Sequence, residues 1–175
     1  MVYTNGGGTV KNLVIEGNNE KAAGENKRGL FNGLSSTDYA TEDIIIHNVT
    51  VSGVGYALNM YGTPGIKLIV TDSSFTGWSS FTGFDQASFT NCHFGIGSYF
   101  ASGLPSNGNL KPWNSVVLTD CTFDKGFCLD FEEIGTGTLT LVNCKVNGEV
   151  ITAGNIKTLL GSANGNDKLN SVQYN

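Results

Sequence analysis

The chain has 15 acidic side chains against 10 basic ones, so carboxylates are the first place to look for chemistry. Asp130, Glu132 and Glu133 fall together. Alternation along a strand would put Asp130 and Glu132 on one face. Asp85 sits on a comparable segment earlier in the chain. Cleavage of a glycosidic bond needs two carboxyl groups roughly 5 to 9.5 Å apart, and such a group would also suit Ca²⁺. The plainer reading is solvated carboxylates at strand ends, and Glu42-Asp43 reads the same way. Metal binding through thiolate and imidazole has no support. No Cys-x-x-Cys pair occurs, and His47 and His93 fall at outward positions. No phosphate loop, metalloprotease helix, nucleophile elbow or dinucleotide fingerprint is present either. The sequence therefore implies no cofactor and no metal.

Aromatic side chains offer a second kind of chemistry. Tyr56, Tyr61, Trp78, Tyr99 and Trp113, with Phe100 beside them, lie in segments of variable length. Rings exposed on one face stack against sugars, with a few polar groups to orient them. The competing reading is that they shield the core where connecting segments cover it.

The elements that would position these residues emerge from a repeat. Asn12, Asn48, Asp72, Asn91, Asp120 and Asn143 each anchor one copy. Three residues on stand Ile15, Val51, Phe75, Phe94, Phe123 and Val146, each followed shortly by a glycine. Two residues before the anchors stand Val10, Ile46, Val70, Phe89, Leu118 and Leu141. Alternation at period two marks a strand with one buried face. Asn and Asp suit the bend between two strands, because they tolerate the left-handed region and bond their own backbone. The anchors are spaced 36, 24, 19, 29 and 23 residues apart. Such intervals, with like positions repeating alike, predict parallel strands stacked in register at about 4.8 Å. A third strand per copy is expected around 29–32, 56–61, 79–82 and 127–131. Cys92, Cys121 and Cys144 share one inward position. They read as small core hydrophobes, since stacked parallel neighbours are poorly placed for a disulfide.

The stacked Asn/Asp bends and the inward Ile/Val/Phe ladder resemble the right-handed parallel β-helices of the pectate-lyase-like superfamily, over about residues 8–151. The resemblance implies an all-β solenoid of about six coils. Its lyases need acidic Ca²⁺ ligands and a basic residue. Here a single arginine, Arg28, occurs, and no Asp-Asp pair is available for the family's hydrolases. The expected function is accordingly a non-catalytic module, a stalk or a glycan-binding or adhesion domain, extracellular or on the cell surface. The alternative is a polysaccharide lyase or glycoside hydrolase centred on Asp130 and Glu132.

Residues 1–161 read as the β domain. Thr152 is expected to cap a short helix that ends at Gly161 and covers the C-terminal end, and 162–175 read as a polar tail. The N-terminal edge lacks a comparable cap, which points to a neighbouring domain or an oligomer there. A net charge of −5 argues against nucleic acid. No apolar run reaches the length of a membrane span.

Overall fold

The computed structural model describes residues 1–4, 6–18, 27–32, 39–95, 115–125, 137–160 and 172–175, with 82, 99–101 and 128–129 as backbone. Strand takes up 57% of the described residues and helix 3%, so the chain is all-β and its strands are mainly parallel.

All six anchors adopt the left-handed conformation, with φ between 51° and 55°. Each bend separates two arms. The first arms are Gly8–Glu16 up to its bend, Ile44–Ser52 likewise, then Lys67–Thr71, Gln86–Thr90, Ser115–Thr119 and Thr138–Val142. They pair in parallel and in register, for example Leu68↔Ala87 and Val116↔Leu139. The second arms include Ser74–Phe75, His93–Phe94, Thr122–Phe123 and Lys145–Val146, also parallel. A separate six-stranded parallel sheet holds Val2–Tyr3, Arg28–Phe31, Tyr56–Tyr61, Trp78–Thr82, Tyr99–Ala101 and Cys128–Leu129. Its members fall close to the expected third strands. Val2–Tyr3 has no counterpart among those expectations, and Tyr99 and Phe100 were marked there only as ring-bearing residues of a connecting segment.

The inward residues of both arms and of the six-stranded sheet meet in one core. Ile44, Ile46, Leu58, Leu68, Phe75, Phe81, Phe89 and Phe94 are all fully buried there. Phe94 packs face to face on Phe123 from the next rung, with ring centroids 5.2 Å apart. Like residues stack on like because parallel register superimposes equivalent positions.

The C-terminal end departs from the pattern. Asn147 and Gly148 both have positive φ, and Lys145–Val146 turns back to pair antiparallel with Glu149–Val150. An Asn-Gly pair between two short strands is a strong hairpin signal. In the sequence it is masked by Gly148 sitting where other copies place their closing glycine. The helix spans only Ile156–Leu159, and Asn155 stands at its N-cap where Thr152 was expected. Asn155 Oδ1 instead accepts the Thr152 N–H at 2.7 Å. Ile151, Ile156 and Leu160 are buried against the end of the core. The polar tail ends in a further strand, Val172–Tyr174, parallel to Thr138–Val142.

Candidate functional site

Three side-chain columns bear on function, and each arises from the register. The first is the column of bend amides. Asn48 Nδ2 donates to Asn12 Oδ1 at 2.9 Å, Asn91 Nδ2 to Asp72 Oδ1 at 2.7 Å, and Asn143 Nδ2 to Asp120 Oδ1 at 2.6 Å. Every bond runs from one rung toward the rung before it. A carboxylate has no proton to donate, so the series is interrupted where Asp72 follows Asn48 and where Asp120 follows Asn91. At the first interruption the His47 ring enters, with Nδ1 2.8 Å from Thr71 Oγ1 and 3.3 Å from Asp72 Oδ2. His93 does the same on the second arm, with Nδ1 2.9 Å from Thr122 Oγ1 and Nε2 3.5 Å from Asp124 Oδ1.

The second column is sulfur. Cys92, Cys121 and Cys144 are free, buried and one above another in register. Each thiol folds back toward the carbonyl two residues earlier, Thr90 O at 3.4 Å, Thr119 O at 3.5 Å and Val142 O at 3.6 Å. Ser73 holds the same position one rung earlier, and its hydroxyl donates to Thr71 O at 2.7 Å. The thiols are thus hydrogen-bond donors as well as core filler, which the expectation of small hydrophobes missed. Hydrogen bonding by Cys144 and Cys92, with burial, pushes the Cys121 thiol well above its ordinary value. Cys121, protonated and enclosed, is neither a nucleophile nor a metal ligand, and its hydrogen bonds lower the Cys92 and Cys144 thiols.

The third column is aromatic and lies on the six-stranded sheet. Arg28, Tyr56 and Trp78 occupy one register position on successive strands. Tyr56 and Trp78 stack at 5.0 Å with planes 10° apart. The Arg28 guanidinium lies 5.9 Å from the Tyr56 ring and 5.8 Å from the Phe31 ring, and Phe31 meets Tyr3 at 5.2 Å. Phe31 is buried but does not belong to the central core. Because Phe100 pairs with Ser79, the backbone places Tyr99 at the register position beside Trp78. Tyr61 stands at the far end of its strand, where Asn32 clamps its main chain. The Asn32 amide donates to Tyr61 O at 2.6 Å and its Oδ1 accepts the Tyr61 N–H at 2.7 Å.

The structure thus brings Tyr56 and Trp78 together, sets Tyr61 apart, and adds Arg28, Phe31 and Tyr3. Arg28 and Tyr56 stand the same number of residues before Leu30 and Leu58, a correspondence the sequence does show. Trp113, Asp130 and Glu132 lie outside the described residues. Asp85 has a structural role, since its Oδ2 accepts the Gly65 N–H at 2.8 Å, and Asp43 Oδ1 accepts the Lys67 N–H at 2.8 Å. Among the described residues no cluster of three or more His, Cys, Asp or Glu could hold a metal ion, and no helix is long and apolar enough to cross a membrane.

No family model, curated protein or solved structure matches the chain. Its function is therefore argued from these columns alone.

Proposed function

We propose that the chain is a non-catalytic module built as a right-handed parallel β-helix of the pectate-lyase-like kind, serving as a stalk outside the cell or on its surface. One observation carries this reading: among the described residues, the bend amides, the inward thiols and two aspartates are spent on the stack itself. The bend amides bond one another along the column. The thiols donate to main-chain carbonyls. Asp85 and Asp43 accept backbone N–H groups.

The aromatic column follows the same rule. Tyr56 and Trp78 cover one face of each other, and Arg28 lies over Tyr56. A sugar stacks on a ring face, and a column whose rings and guanidinium cover one another leaves little ring face for a glycan. That favours a stalk over an extended sugar platform. By the inter-strand spacing of about 4.8 Å, six rungs make a rod of roughly 29 Å.

The test is a glycan array spanning plant, host and microbial polysaccharides, with the wild-type chain and Trp78→Ala in parallel. No retention on any glycan is the expected result. Retention that the Trp78→Ala variant loses would replace the stalk by a glycan-binding module.

A further inference from the structure

The sequence holds five Asn-Gly pairs, and two of them, at Asn32 and Asn147, have the asparagine among the described residues. Such a pair carries a reaction of its own. The peptide nitrogen that follows an asparagine attacks the side-chain amide carbon, and glycine, with no Cβ, leaves that approach open. Whether the attack proceeds depends on what holds the amide and the N–H.

Asn32 is held on both sides. Its Nδ2 donates to Tyr61 O at 2.6 Å, its Oδ1 accepts the Tyr61 N–H at 2.7 Å, and the residue is 1% exposed. Asn48, Asn91 and Asn143 are engaged in the amide column, and none is followed by glycine. Asn155 donates to Glu149 Oε1 at 3.1 Å and Val150 O at 2.9 Å, and accepts from the Thr152 N–H. Asn147 is the exception. It is exposed, its left-handed φ of 48° belongs to a hairpin turn outside the column, and among the described residues its side chain has no hydrogen-bond partner. The Gly148 N–H has none there either. Both reacting groups are at the surface and uncommitted.

We propose that Asn147-Gly148 is a self-modification site of the folded chain, and that its isoaspartyl product loosens the C-terminal cap. Gly148 N bonds to Asn147 Cγ, the Cγ–Nδ2 bond breaks, and the N–H proton leaves with the amide nitrogen as ammonia. Water then opens the cyclic imide. Opening at Cγ leaves an aspartate. Opening at the main-chain carbonyl leaves an isoaspartyl link, in which the main chain runs through Cγ and is one carbon longer. The two-residue turn depends on positive φ at both central residues, 48° and 85° here. Turn type and loop length set the register of a hairpin, so the longer link unsettles the pairs Lys145↔Val150 and Val146↔Glu149. The cap hangs on this hairpin, through Asn155 on Glu149 and Val150 and through the Ile151 N–H donated to Cys144 O at 2.8 Å. This goes beyond the stalk reading and does not depend on it.

The full chain, aged at mildly alkaline pH and physiological temperature, tests the proposal by peptide mapping that resolves asparaginyl, aspartyl and isoaspartyl forms. A second sample is kept unfolded in guanidinium chloride. In the folded chain Asn147 is expected to convert while Asn32 stays intact, and unfolding should bring Asn32 to a comparable rate. The purified form with an isoaspartyl link at position 147 is expected to melt about 2–4 °C or more below the fresh chain. Freshly prepared Asn147→Asp reproduces the charge with a residue that suits the turn, and should melt with the wild type. Asn147→Gly also suits the turn, cannot react, and should escape this loss when aged alongside. Asn147 intact in the folded chain after the unfolded one has converted overturns the proposal. Asn32 converting as fast as Asn147 in the folded chain, or an isoaspartyl form that melts with the fresh chain, overturns it equally.

Discussion

One position past the bend the first two rungs carry Leu13 and Val49, and the next four carry a small residue with one proton to donate. In those four the side chain points into the core yet passes close to the carbonyl two residues back. Ser73, Cys92, Cys121 and Cys144 meet both demands. Cys121→Ser should therefore cost no more than about 1–2 kcal/mol, since the hydroxyl inherits an acceptor. Leu118→Ala, one rung position away in the same core, should cost about 2–5 kcal/mol through the cavity it leaves. Urea unfolding of the two variants compares them directly.

The shared position of the four residues was legible in the sequence. Their role as donors was not, because it depends on how close the bend brings the carbonyl.

At the scale of the element, each bend was readable from a single residue type, since Asn and Asp are the side chains that enter the left-handed region at little cost. The direction of the amide column was not readable, because it needs the rungs stacked. That direction makes a prediction. Asp120→Asn keeps the acceptor for Asn143 and adds an N–H aimed toward Asn91, filling one interruption. A gain of about 1 kcal/mol is expected, a rise of roughly 2–4 °C in melting temperature for a chain of this size. Asp120→Ala should lower it.

The closing glycines test the corner that follows. Gly53 has φ +64°, and a Cβ there would lie 2.2 Å from Gly17 O. Gly53→Ala should cost about 2–3 kcal/mol from strain and backbone displacement, read by thermal melting. The third strands were located by elimination rather than by pattern. In Tyr56–Tyr61 four consecutive residues are buried, so no period-two signal existed to find, and the register shift between Tyr56 and Leu58 blurs it further.

For the molecule as a whole, the sequence showed a long stack and foresaw a cap at one end, but placed the cap's parts loosely. The helix is four residues long and draws its stability from burial of Ile156 rather than from its own hydrogen bonds. Ile156→Asp should therefore lower stability by about 3 kcal/mol or more, as an unpaired charge entering the core. Lys157→Asp, on the exposed neighbour, should change it by no more than about 0.5 kcal/mol. Differential scanning calorimetry separates the two.

The reversal at Asn147-Gly148 carries a consequence for growth by assembly. A parallel stack has a sense, like a screw, and its two faces accept one another in endless succession unless one is spoiled. Two residues with positive φ spoil it here. A descendant that lost the Asn147-Gly148 turn and the helix behind it would leave this face ready to accept a further parallel rung, its own or a neighbour's.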